Sequence, residues 1–231
     1  MRLLIAAALL ATLALHESAQ PQTTKTLRRP VVAATPGALT KVVADISCLT
    51  PLGTGVDTNE AFCEVVTGRD PADGIIIIVP PHDGPARLTF DLHNRHAYSE
   101  EEVKEHLAYR RYTATIGLLT MDNTLIGRGI VQSEFRSEAD LFDRVSGGAG
   151  PGGLKAIALV GTEPIAFTIP LGEELVSVLG EKLTVERLDA TNTYTQPGRA
   201  IADIGNVFIE YRPAPPPRIQ GAIGTTGTKA K

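Results

Sequence analysis

The chain has 231 residues, a net charge of −4, 43% apolar and 21% charged residues, the balance of a globular protein rather than a disordered one. Its acidic net charge and lack of any basic run argue against a nucleic-acid partner. Beyond the N-terminus no apolar run exceeds five residues, the length of the run at 75–79, so no membrane-spanning helix is expected there.

In chain order, the sequence opens on Arg2 and an uncharged apolar run at residues 3–15, then turns polar at His16. One cation ahead of such a run is the form of a secretory signal peptide, and the run is too short to span a bilayer. Residues 1–19 are therefore expected to be a signal cut near Ala19. The mature chain, about 210 residues long, would work in the periplasm or outside the cell, a size that suits one large β domain. Residues 20–37 are rich in Thr, Pro, Gln and Ala and read as a linker or N-terminal arm, followed by a domain at 38–212. Residues 213–231 start with Pro213, Pro215, Pro216 and Pro217, turn Gly/Thr/Lys-rich, and read as a disordered tail. Cys48 and Cys63 lie 15 apart. In an exported chain that even count implies one disulfide, contributing on the order of 3 kcal/mol by closing its loop.

Between the ends the apolar period is two. Leu88, Phe90 and Leu92 alternate with polar residues in 87–93, and 112–119 is β-branched and aromatic. Residues 125–135, 154–160, 165–169, 175–179, 183–188 and 201–211 read the same way, and 75–79 reads as a buried strand. Turn residues separate them at 121–123, 161–164, 180–182 and 196–198. Many short strands at such spacing predict an all-β sandwich, mostly antiparallel, of jelly-roll type. Two segments break the pattern. Ser99 with Glu102, and Ser137 with Asp140, have the form of N-capped short helices over 99–107 and 137–145.

Four sets of residues could carry chemistry. His82, His93, His96 and His106 fall within 25 residues, and imidazoles with carboxylates are the usual ligands of zinc. On a strand, however, His93 and His96 point to opposite faces, so surface histidines are the simpler reading and a metal-dependent hydrolase the alternative. The Gly-rich segment 146–155 lacks the Gly-Lys-Ser/Thr closure of a phosphate loop and reads as a loop between strands. The acidic turns at Asp57–Glu60, Asp70–Gly74 and His82–Gly84 hold oxygen ligands of the kind Ca²⁺ takes, without EF-hand spacing. They are also what tight turns require, so no cofactor is expected, with Ca²⁺ the one candidate. No G-x-S-x-G and no Cys beside a His points to nucleophilic catalysis.

The stretch Arg87-Leu-Thr-Phe-Asp-Leu92, followed by Tyr109-Arg-Arg-Tyr-Thr-Ala-Thr-Ile-Gly117, resembles the NPCBM family of carbohydrate-binding modules. In that family a strand ending in Asp-Leu leads to a Tyr-x-x-Phe-Thr-Ala-x-Val-Gly segment; here Tyr112 replaces the Phe and Ile116 the Val. The resemblance implies a galactose-binding-like jelly roll and non-catalytic sugar binding. The chain has no Trp, so Tyr98, Tyr109, Tyr112 and Tyr194 would have to supply the aromatic platform for a sugar ring. The expected function is thus an exported binding protein with a polysaccharide or envelope-protein partner. The binding residues would be His93, Arg95, His96, Tyr98 and Tyr109, beside the loop at 146–153. The alternative from another class is a structural or assembly protein of the envelope that pairs through its two terminal arms.

Overall fold

A computed structural model describes residues 37–145 and 156–215. The expected signal at 1–19, the arm up to residue 36, the Gly-rich segment and the tail from residue 216 lie outside the described residues. In chain order come β1 (Thr40–Val43), β2 (Asp45–Ser47), β3 (Pro51–Thr54), β4 (Ala61–Val66) and β5 (Ile75–Ile78). Then follow β6 (Ala86–His93), β7 (Arg95–Ala97), the helix α1 (Glu100–Lys104), β8 (Arg110–Thr120) and β9 (Leu125–Phe135). The chain continues through β10 (Leu141–Arg144), β11 (Ala156–Leu159), β12 (Glu163–Ile169), β13 (Leu175–Glu186), β14 (Thr191–Tyr194) and β15 (Ala200–Tyr211).

One sheet runs β12-β6-β15-β4-β3 with β1 also on β15, and the other runs β2-β5-β13-β8-β9 with β14 also on β13. The ladders are antiparallel. The strands β4, β5, β6, β8, β9, β12, β13 and β15 are shared out between the sheets so that β4-β15-β6-β12 lies in one and β5-β13-β8-β9 in the other. That is jelly-roll order, two interlocked Greek keys, and it is the all-β antiparallel sandwich expected from the sequence.

The period of two builds it. On β6, Ala86, Leu88, Phe90 and Leu92 face inward and are buried, while Arg87, Thr89 and Asp91 face out. On β8, Tyr112, Ala114, Ile116 and Leu118 meet them from the other sheet, with Val176, Val178, Leu183 and Val185 of β13 alongside. Each large apolar side chain buried this way stabilises the fold by roughly 1.5–3 kcal/mol. The segment 40–47 switches sheets midway: β1 pairs β15 and β2 pairs β5, while Val42, Ala44 and Ile46 stay on the core side throughout.

Four details differ from the expected bounds. Residues 180–182 are not a turn. β13 runs straight through with a bulge there, because a side chain at Gly180 would come within 2.7 Å of Ile201 and 2.9 Å of the Val66 carbonyl. The second capped segment is only a 3₁₀ turn at Glu138–Asp140, although its capping box forms; from Leu141 the chain is strand. The first, capped by Ser99 accepting the Glu102 N–H, is the helix expected but stops at Lys104. Pro213 and Ala214, expected in the tail, still lie against the domain: Pro213 stands opposite His82 in an antiparallel bridge formed by the Ala214 N–H donating to the Pro81 carbonyl and the Asp83 N–H to the Arg212 carbonyl.

A third, small sheet, β10-β11-β7, positions the rest. β7 continues β6 past Asn94, and β11 pairs with it. From β11 the hairpin reaches back across the outer face of the β6 sheet, where Val145 bridges Gly55 beyond β3. Asp143 fastens it there, accepting the backbone N–H groups of Asp57 and Thr58 at 3.0 Å each.

Candidate functional site

The histidines do not converge. His93 and His96 lie on opposite faces of one strand run, as the period of two requires. His96 points into the sandwich, where its ring stacks on Phe135 at 3.9 Å and Nδ1 meets the Tyr112 hydroxyl at 2.7 Å. Burial, with the nearby Arg110 adding to it, pushes His96 down to about 4, and burial pushes the Tyr112 hydroxyl up to about 12. His93 points outward but is roofed by the β10–β11 hairpin. It stacks on Phe142 at 4.8 Å, takes Phe62 edge-on, and bonds the Thr162 hydroxyl at 3.0 Å through Nδ1. Burial lowers its pKa. His82 lies between the Pro80 and Pro170 carbonyls, and His106 is exposed just past α1. Among the described residues no three His, Cys, Asp or Glu side chains converge as a metal shell.

The other expected binding residues are scattered too. Arg95 pairs with Glu64 at 2.8 Å on the outer face of the β6 sheet. Tyr98 edges a cleft of about 560 Å³ between α1 and the 138–140 turn, where its hydroxyl donates to Glu138 at 2.7 Å. That bond foremost raises the hydroxyl's pKa. Tyr109 lies under the Arg136 guanidinium. Tyr112, offered as a platform, is in the core, and Tyr194 is covered by the Arg199 guanidinium at 3.6 Å. His93, Arg95, His96, Tyr98 and Tyr109 therefore form no single site. The acidic turns are likewise occupied with structure: Asp57 and Thr58 hold Asp143, and Asp70 caps a 3₁₀ turn through the Ala72 N–H.

The open, chemically mixed surface is elsewhere, on the outer face of the β12-β6-β15-β4 sheet. A cleft of about 650 Å³ lies there beside the hairpin, over Thr89 and Asp91 of β6 and Phe208 of β15. The register explains the layout. Phe208 sits opposite Thr89 on one side and Val43 on the other, and Glu210 sits opposite both Arg87 and Lys41. Between Gly205 and Phe208 the ladder bulges, and Asn206, at φ 51°, is turned out. Its side-chain amide donates to Asp91 at 3.0 Å and to Glu60 at 2.8 Å, which ties the Asp57–Glu60 turn to the cleft. Pro164 and Ala166 of β12 form the far wall. The result is one aromatic ring set among hydroxyl, carboxylate, amide and cationic groups. Lys41, Asn206 and Phe208 were missed in the sequence. The alternation in 86–93 and 207–211 is the signal that places Arg87, Thr89, Asp91 and Phe208 outward, but only the pairing of β15 between β6 and β1 brings them together.

Beneath the hairpin, next along this face, lies Asp203, opposite His93 on one side and Glu64 on the other. It is fully buried, and neither carboxyl oxygen has a partner. Burial, helped by the neighbouring Glu64 charge, raises its pKa well above the ordinary aspartate value, against a smaller pull from Arg95. The acid is sealed from solvent, so it cannot meet a bulky substrate. No protein-family model matches the chain, and neither does any curated protein.

Proposed function

We propose that this is an exported, non-catalytic binding protein whose ligand is a carbohydrate held on the outer face of the β12-β6-β15-β4 sheet. The observation that carries the reading is Phe208, the ring that lines a cleft beside Thr89, Asp91 and Asn206, with the exposed Lys41 ammonium over it, 4.4 Å from its centre. A pyranose offers an apolar face to stack on such a ring and hydroxyls that donate to carboxylates and amides around it. The motif residues Arg87 and Asp91, which carry the resemblance to carbohydrate-binding modules, lie at this cleft. The Cys48–Cys63 bond, with its Cα atoms 6.0 Å apart, supports export, since such bonds persist in oxidising compartments. No Ca²⁺ is needed for the reading, because the Asn206 amide already ties Glu60 and Asp91 together.

Affinity electrophoresis of the purified protein through a panel of polysaccharides tests it. At least one glycan should retard the wild type, and Phe208→Ala should abolish that retardation with its thermal melt unchanged. Retardation that survives Phe208→Ala moves the site elsewhere; none on any glycan removes the carbohydrate reading. A second reading, a structural protein of the envelope that assembles with neighbouring copies of itself, is favoured by the outer face of the other sheet. There Ile78, Met121, Leu125 and Leu175 are each 38–44% exposed around one end, and Leu175 sits opposite Ile78. Concentration-dependent oligomers would support it.

A further inference from the structure

We infer that the cleft takes an acidic polysaccharide, one whose pyranose rings carry carboxylates, and that Lys41 and Arg87 select it. The inference rests on the carbohydrate reading above and names the ligand class for that site.

Lys41 and Arg87 are both exposed and both border the cleft. Each stands opposite Glu210 in the ladder, yet neither makes an ion pair with it or with any other described residue. Their charge is therefore available to a ligand. The Lys41 ammonium lies 4.4 Å from the centre of the Phe208 ring, over the face a sugar would use. A neutral pyranose must displace that ammonium and gives no charge in return. A uronate displaces it from the ring and accepts it as an ion-pair partner, so the cation–π contact is exchanged for a stronger one. Arg87 presents a planar fork that matches a carboxylate in two-point fashion.

The rest of the cleft orients the ring. Asp91, already sharing the Asn206 amide with Glu60, puts negative charge at the hairpin end. That end repels a carboxylate and accepts hydroxyl donors. The Lys41–Arg87 end attracts the carboxylate. A uronic acid therefore fits in one direction, with its acid at Lys41 and Arg87, its apolar face on Phe208, and its hydroxyls toward Asp91.

Titration calorimetry of the intact protein with polygalacturonate and with alginate, each beside its neutral ester, tests this. The esters keep the rings and remove the charge. The expected result is that one polyuronate binds about tenfold or more tighter than its ester, with the gap closing near 1 M salt, where charges are screened within about 3 Å. The double variant Lys41→Gln/Arg87→Gln should bind acid and ester alike, at least as tightly as the wild type binds the ester, because the ammonium over the Phe208 ring is gone. Phe208→Ala should lose both. Thermal melts establish that each variant folds. Equal binding of acid and ester by the wild type, or a preference that survives the double variant, overturns the inference and leaves the carbohydrate reading standing. Failure of both polyuronates while a neutral glucan or xylan binds does the same. Failure of every glycan overturns both.

Discussion

Asp203 and His96 are buried ionisable side chains, and each makes stability depend on pH in its own direction. Asp203 is enclosed without a partner, and its pKa is raised. The folded state therefore holds the proton more tightly than the unfolded chain. Its contribution is full below the ordinary carboxylate range and is lost as pH rises through the raised value. Asp203→Asn keeps the shape and removes the charge, so it should melt higher than wild type at pH 8, with the difference shrinking toward pH 4. Thermal melts across that range check it, and a variant no more stable at pH 8 would show that Asp203 is satisfied in solution. His96 has the opposite sign. Held down to about 4, it is neutral when folded, while the unfolded chain takes up a proton near 6.5. Stability is full above pH 6.5 and is lost as pH falls toward 4, by roughly 3 kcal/mol at one-to-one linkage. In urea titrations at stepped pH, His96→Gln should flatten that slope. Both residues were legible as polar letters in strands. Their burial was not, because the period of two fixes which face a side chain takes but not what covers that face.

The β10–β11 hairpin shows the same limit in an element. Its strands were partly expected, as 154–160 and as a capped helix over 137–145. The capping box at Ser137 is real but local; pairing of 141–144 with β11 overrides any further helical turn. What fastens the hairpin is a long-range contact. Asp143 accepts from the Asp57 and Thr58 backbones and from the Thr58 hydroxyl. Burial alone would raise this carboxyl, but those bonds outweigh it and hold it below the usual range. Asp143→Ala removes the acceptor of three backbone N–H groups, those of Asp57, Thr58 and Arg144, and should cost about 2–3 kcal/mol by chemical denaturation. Gly55 has no room for a side chain, since a Cβ there would sit 2.0 Å from Asp143 Oδ2. Gly55→Ala should therefore cost about 1–3 kcal/mol, by overpacking at the same fastening. If both variants melt like wild type, the hairpin is held by something else.

Across the whole molecule, the Cys48–Cys63 bond links the segment after β2, which belongs to the β13 sheet, to β4 in the β6 sheet. It staples the two sheets near one edge. Replacing both cysteines by Ala should cost about 2–4 kcal/mol, or about 10 °C in melting temperature for a domain of this size, and calorimetry with and without reductant checks it. The sequence by itself determined the strand-rich class, most of the strands after residue 85, the two caps and the cysteine pair. Those follow from contacts between near neighbours: alternation, turn chemistry and capping act over a few residues. The short strands from 40 to 54 carry little alternating apolar signal and were not legible. The tertiary structure alone decided that β15 runs between β6 and β1, that His93 and Asp203 are roofed, and that Lys41, Thr89, Asp91, Asn206 and Phe208 share one cleft. Those residues come from segments as much as 167 positions apart, Lys41 to Phe208, and only the jelly-roll crossing of strands between sheets sets which of them become neighbours.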